Sequence, residues 1–173
     1  DYTLTLPRTA DLAVETYSAA TTVEPLAGDL RFDGYSAALT VDQLVGDLRA
    51  DTYSGDVQVR TIDGALTADT YSGSLEADSV AGPVEFSTYS GTATLAFADL
   101  PGDCRFDSYS GSVTATLPTD VGAVIETSEG ALDTDLPVRI DRIEDDRIRA
   151  TLGDGGPRLR FDTYSGTFSV RSR

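Results

Sequence analysis

Seven tyrosines recur in one phrase: Tyr17, Tyr35, Tyr53, Tyr71 and Tyr89 stand 18 residues apart, Tyr109 follows after 20, and Tyr164 closes the series. Two residues before most of them stands an aspartate, giving Asp33, Asp51, Asp69, Asp107 and Asp162, with Ser87 interrupting. Phenol rings gathered into one column would offer rigid, amphipathic area to a sugar or a partner protein. The competing reading is architectural: a ladder of identical side chains stabilises stacked repeats through pairs worth about 0.2–1 kcal/mol each. The aspartates admit two readings as well. Calcium held between repeats would use the carboxylates of Asp33, Asp51, Asp69 and Asp107, because hard cations prefer oxygen ligands. Arg31, Arg49, Arg105 and Arg160 stand four before their tyrosines, however, so an exposed Arg–Asp lattice accounts for the same column. The Gly-Gly-x-Gly-x-Asp phrase of calcium-binding rolls is absent, which leaves these aspartates weak metal candidates.

Little else in the chain could do catalysis. With no histidine, imidazole-based triads and His general bases are impossible. Gly153-Asp-Gly-Gly156 lacks the Lys-Ser/Thr and helix of a phosphate loop and reads as a turn. Cys104 replaces a leucine in an apolar column and reads as a buried, inert thiol. Carboxylate pairs abound in so acidic a chain, so none singles out a glycosidase. We expect no enzyme and no cofactor.

The elements that carry these residues follow from the period. Counting from each ladder tyrosine, apolar residues return at four after (Leu39, Val57, Leu75, Ala93, Val113, Phe168) and six after (Val23, Val41, Val59, Ala77, Leu95, Ala115, Val170). They return again at five before (Leu30, Leu48, Leu66, Val84, Cys104, Leu159) and three before (Phe32, Ala50, Ala68, Phe86, Phe106, Phe161). Period-2 alternation broken by turns predicts short strands with one buried face. Glycines close each phrase at Gly55, Gly73, Gly91, Gly111 and Gly166, and a second column runs through Gly28, Gly46, Gly64, Gly82 and Gly102. Glycine suits corners that need positive φ or close approach to the next rung. The expectation is an all-β, single-stranded β-solenoid (β-helix) with about 18 residues per rung, about nine rungs in all.

The reading divides one domain, 1–173, into a cap or first rung (1–16), regular rungs (17–126), irregular rungs (127–161) and a last rung (162–173). Alternation sets Thr52 and Ser54 inside and Tyr53 outside. Thr127-Ser128-Glu129-Gly130 is aligned with Thr-Tyr-Ser-Gly, two rungs before Tyr164, and the charged run 139–147 reads as an irregular rung or loop, with a docking site as the less common alternative. A strand-like stretch, Tyr2–Leu6, opens the chain. Pro7 in the first strand and Arg171-Ser-Arg173 in the last would discourage end-to-end growth.

Composition bounds the partners. Net charge is −16 and every one of the 13 basic residues is arginine. That argues against nucleic acid and against anionic membrane surfaces, and fits a soluble, self-repelling particle, or life in high salt. No apolar run approaches spanning length. A trimmed chain is suspected from the abrupt start, so a signal or anchor is expected beyond it.

Ser110-Gly-Ser-Val-Thr-Ala-Thr-Leu-Pro118, Val124-Ile-Glu-Thr-Ser-Glu-Gly130 and Leu152-Gly-Asp-Gly-Gly-Pro-Arg-Leu-Arg-Phe-Asp-Thr-Tyr-Ser-Gly166 carry a resemblance. They are similar to the bacterial and archaeal DUF4097 family of adhesin-like β-strand-repeat proteins. The resemblance covers most of the chain and is strongest from residue 51 onward. It implies a β-helical, extracytoplasmic or envelope-associated protein without known catalysis. The resulting expectation is a structural or adhesive display rod at the cell surface, monomeric or weakly self-associating, whose tyrosine face meets an unknown glycan or protein. Competing readings are an envelope-stress scaffold or sensor bound to one protein partner, a calcium-stabilised rod, and an ice-binding-like lattice. The last needs a flat threonine array, but the column five after tyrosine is mixed: Thr22, Thr40, Gln58, Glu76, Thr94 and Thr114.

Overall fold

The structure is a computed structural model, and it describes residues 3–145 and 147–173. Among these, secondary structure is all β, and no helix is long and apolar enough to cross a membrane. The period-2 stretches form strands as expected. Six coils follow one another, each of two strands: β1 (Leu12–Thr16) and β2 (Thr21–Val23), β3 (Leu30–Gly34) and β4 (Leu39–Val45), β5 (Leu48–Thr52) and β6 (Val57–Asp63). They continue with β7 (Leu66–Thr70) and β8 (Leu75–Val80), β9 (Val84–Thr88) and β10 (Thr92–Phe97), β11 (Cys104–Ser108) and β12 (Ser112–Leu117). Then come β13 (Ala123–Ser128), β14 (Ala131–Thr134), β15 (Val138–Glu144), β16 (Arg147–Leu152), β17 (Arg158–Thr163) and β18 (Thr167–Ser172).

Odd- and even-numbered strands of the coils build two parallel sheets that face each other. The ten-stranded sheet runs β1-β3-β5-β7-β9-β11-β17-β13-β16-β15, and the eight-stranded sheet β14-β18-β12-β10-β8-β6-β4-β2. Register is in step with the repeat: Leu30 pairs with Leu48, Phe32 with Ala50, Asp33 with Asp51. Each apolar column thereby becomes a continuous buried stripe between the sheets. Leu30, Phe32, Leu39, Val41, Leu44, Phe86, Phe106 and Phe161 are at most 1% exposed.

Three expectations are corrected. First, rung order is not sequence order. The coil β17–β18 inserts between β11–β12 and β13–β14, so Cys104 pairs with Leu159 and Phe106 with Phe161. Like rungs have paired with like: Phe161 lies on Phe106 and Tyr164 on Tyr109, and Arg105 reaches Asp162 at 3.4 Å. The stack holds six consecutive coils and two out of order, rather than nine in a row. To make the insertion, the chain turns through Gly153 (φ 57) and Gly155 (φ 81), left-handed positions that glycine tolerates, and passes around the start of β13. A Cβ on Gly122 there would sit 2.2 Å from the Gly155 carbonyl oxygen.

Second, Ser128 registers with Asp162, not with a tyrosine two rungs away. Between Ser128 and Ala131 the corner has two residues, where Asp162 to Thr167 has four. Glu129 closes this short corner at φ 61, which leaves no place for a tyrosine. Third, the charged run 139–147 is no rung. β15 and β16 form an antiparallel hairpin that extends the ten-stranded sheet beyond β13. The last strand is also not a stack end, since β18 lies between β14 and β12; β1 and β2 do end the stack, but Pro7 lies outside any strand. Residues 3–6 are not in a strand, and Tyr2 falls outside the described residues.

The register also explains a flaw. Thr127 occupies the column of Phe161 and is 3% exposed. Its Oγ1 is the buried side-chain polar atom with no hydrogen-bond partner among the described residues. A buried unpaired hydroxyl costs about 1–3 kcal/mol. Thr127→Val keeps the shape and removes the hydroxyl, so it should raise the thermal midpoint, with about 1 kcal/mol gained in chemical denaturation. A lower midpoint would show that the hydroxyl is satisfied.

Candidate functional site

Each residue of the Asp-Thr-Tyr-Ser-Gly phrase has its own task at the corner from the ten-stranded sheet to the eight-stranded one. Threonine points inward and locks the turn. Gly73 N donates to Thr70 Oγ1 at 2.8 Å and Gly91 N to Thr88 Oγ1 at 2.7 Å, and serine substitutes in Ser108 with Gly111 N at 2.6 Å. This is the local side-chain-to-backbone bond that makes Ser and Thr good turn residues. The following serine carries the parallel ladder around the bend. Ser54 N donates to Tyr35 O and Ser72 N to Tyr53 O, both at 3.0 Å, and Ser165 N to Tyr109 O at 3.1 Å. Its side chain is outside: Ser54 is exposed and its Oγ lies 3.2 Å from Ser36 Oγ. The expected inward placing of Ser54 is therefore wrong, because the strand ends at Thr52 and the chain bends there. Glycine is required by contact, since a Cβ on Gly73 would lie 2.1 Å from the Gly55 carbonyl oxygen.

Tyrosine, between these fixed points, has one way to go. Tyr17, Tyr35, Tyr53, Tyr71, Tyr89, Tyr109 and Tyr164 form one outer column with ring centroids 4.8–5.1 Å apart and planes within 6° of parallel. The spacing is the rung spacing of a parallel sheet. Parallel rings at this distance turn their faces toward one another, so the interior rings present edges and hydroxyls. Exposure agrees: interior rings are 45–48% exposed, but Tyr17 and Tyr164 at the ends are 72% and 65% exposed. Only those two have a face without a neighbouring ring. A stacking platform for sugars along the whole column is thus not what the rings offer.

Beside the tyrosines run the aspartates. Asp33, Asp51 and Asp69 are in register, and Ser87 separates Asp69 from Asp107, which pairs with Asp162. All but Asp69, which follows Thr67, are gripped by an arginine two residues earlier on the strand: Arg31–Asp33 at 2.9 Å, Arg49–Asp51 at 3.1 Å, Arg105–Asp107 and Arg160–Asp162 at 2.6 Å. Arg49 also reaches Asp69 at 3.3 Å, so it stitches neighbouring rungs. Burial pushes the Asp51 carboxyl up, Arg49 pulls it down, and the like charges of Asp69 and Asp33 push it up again. These pairs are largely exposed and contribute little each. No group of three or more Asp, Glu, His or Cys placed to hold a metal occurs among the described residues.

A shallow, open groove of about 1530 Å³ follows the two columns, lined by the six tyrosines from Tyr17 to Tyr109, by Asp33, Asp51, Asp69, Asp107 and Asp162, and by Glu15 and Glu129 near its ends. Cys104 lies away from it, 2% exposed, and burial pushes its thiol up to about 11.

With this geometry in view, comparison with known proteins is decisive at one point. A family model described as Toastrack DUF4097 matches residues 3–171. The chain belongs to the Toastrack DUF4097 family. No curated protein and no solved structure matches it. The DUF4097 solenoid agrees with a structural or surface role and by itself names no ligand.

The sequence reading missed a second ladder of this DUF4097 chain, at the opposite corner. Asp11 Oδ1 accepts from Asp29 N, Asp29 Oδ1 from Asp47 N, and Asp47 Oδ1 from Ala65 N, at 2.8–3.0 Å. Asp103 Oδ1 does the same for Arg158 N at 2.8 Å, across the inserted rung. At the tyrosine corner, Asp56 likewise accepts from both the hydroxyl and the amide of Ser74, which hold its carboxyl below the usual range. The signal was present as Gly-Asp at 28–29, 46–47 and 102–103. These aspartates fasten rungs together and carry no ligand chemistry.

Proposed function

We propose that this protein is a non-catalytic display rod of the cell envelope, whose tyrosine–aspartate groove holds an extended surface glycan. The observation that carries the reading is the outer column of seven tyrosines at 4.8–5.1 Å. It sets a row of phenol hydroxyls beside a row of carboxylates, both repeating with the rung. A polymer lying in the groove would meet a tyrosine hydroxyl at each step and a carboxylate at every step but that of Ser87, so weak contacts multiply along its length. Hydroxyl-rich glycans suit such a wall of acceptors and donors. Ring faces at Tyr17 and Tyr164 are placed to stack on terminal sugars. Family membership and the solenoid support the structural part of this reading, and placement at the envelope is the part that the resemblance only suggests.

The test compares the chain with a Tyr53→Ala/Tyr71→Ala/Tyr89→Ala variant on a panel of cell-wall glycans and on whole envelopes. Circular dichroism first establishes that the variant is folded. Expected is a loss of glycan binding of tenfold or more in the variant. If neither protein binds glycan, the ladder serves architecture, and binding to protein components of envelopes would redirect the reading to a protein partner.

A further inference from the structure

The ten-stranded sheet outruns its partner. β13 is faced by β14 of the eight-stranded sheet, but β16 and β15 continue past it with no strand of that sheet opposite. The inward face runs on across this overhang: Ala123, Ile125 and Thr127 register with Leu152, Ala150 and Ile148, and these with Val138, Ile140 and Ile143. Ala150 and Leu152 are buried, but Ile140 is 57% and Ile143 63% exposed. β15 is also the last strand of its sheet, so its outer edge pairs with no strand among the described residues.

The strand carries a register slip between Ile140 and Arg142, which leaves Asp141 as an extra residue. Because of it, Ile140 and Ile143 share the inward face, although a regular strand would set residues three apart on opposite faces. Arg139, Asp141, Arg142 and Glu144 take the other face, where Arg139 pairs with Asp141 at 2.8 Å and Arg142 with Glu144. The segment therefore reads charged, apolar, charged, charged, apolar, charged, and is symmetric about the midpoint of Asp141 and Arg142.

We propose that β15 is the interface of a two-fold homodimer, paired antiparallel with β15 of a second copy. Arg139 then lies opposite Glu144, Ile140 opposite Ile143, and Asp141 opposite Arg142, each pair occurring twice. Every ionic pair is of opposite sign, and the isoleucines complete an apolar strip over the overhang. Without the slip this pairing would set inward residues against outward ones, so the irregularity is what makes the strand self-complementary. The contact is isologous and closes at two copies. Charged side chains on an edge deter indiscriminate pairing, and here they admit a partner of matching pattern.

Sedimentation velocity of the 173-residue chain over a wide concentration range tests this. Expected is a monomer–dimer equilibrium. Arg139→Glu and Glu144→Arg should each raise the dissociation constant about tenfold, because each turns two opposed pairs repulsive. The double variant Arg139→Glu/Glu144→Arg should restore it. Ile140→Lys/Ile143→Lys should be monomeric throughout. The charged positions are exposed, so far-UV circular dichroism should be unchanged. A monomer at every concentration overturns the proposal. So does a dimer that survives both single reversals, which would place the interface elsewhere.

Discussion

Gly91→Ala is expected to destabilise the rod by about 3 kcal/mol or more, the upper range for overpacking. One methyl group is the whole change, and its effect comes from where it points. The Cβ would stand 2.1 Å from the Gly73 carbonyl oxygen and 2.7 Å from Thr88 Oγ1. The first is backbone in the rung below and cannot swing aside. To relieve it, the corner must lift, which strains the Ser90 N to Tyr71 O bond and the parting of Tyr71 and Tyr89. Each rung of a solenoid is held only by its neighbours, so a wedge at one level weakens everything that crosses it. Gly102→Ala is the matched control. There the nearest atom to a Cβ is Pro83 Cβ at 3.6 Å, and the change should stay within about 0.5 kcal/mol. Thermal and urea melts of both variants decide it. Equal stabilities would mean that the tyrosine corner is looser than the structure shows.

Val57→Asp is expected to cost about 4 kcal/mol or more and to lower the melting temperature by about ten degrees. Val57 is 3% exposed and sits between Leu39 and Leu75 in the apolar stripe of the eight-stranded sheet. A carboxylate there has no cation and no hydrogen-bond donor within the stripe, so it must ionise at great cost or stay protonated and unpaired. Gln58→Asp, one residue on and exposed, should change stability by less than about 1 kcal/mol. Circular dichroism melts separate the two. If both variants melt alike, the inward assignment of the column is wrong.

At the tyrosine corner most inward and outward positions were legible, but Ser54 and the facing of the rings were not. A fixed period gives every column the same environment, so inward and outward positions could be assigned along each strand. Alternation stops where the strand stops, however, and Ser54 falls outside because the chain bends after Thr52. The tyrosine column was legible, but not the orientation of its rings. That the rings stack face to face, and so keep their faces from a ligand, depends on how two neighbouring corners meet.

The chain beyond Leu117 shows the other limit. Its motif residues, from Leu159 to Gly166, could be recognised as a rung, but not which rung they would lie on. Sequence order set this rung beyond β13–β14, yet it lies between β11–β12 and β13–β14, and on the β11–β12 side phenylalanine, tyrosine and the Arg–Asp pair all find their like. The run 139–147 gave no periodic signal because it belongs to no coil, and its partner strand is antiparallel. Local periodicity therefore determined the solenoid, its core columns and its outer tyrosine and aspartate faces, since each depends only on neighbours one rung away. Tertiary structure decided the order of the final rungs, the hairpin overhang and the facing of the rings, since these depend on which distant segments bury each other best.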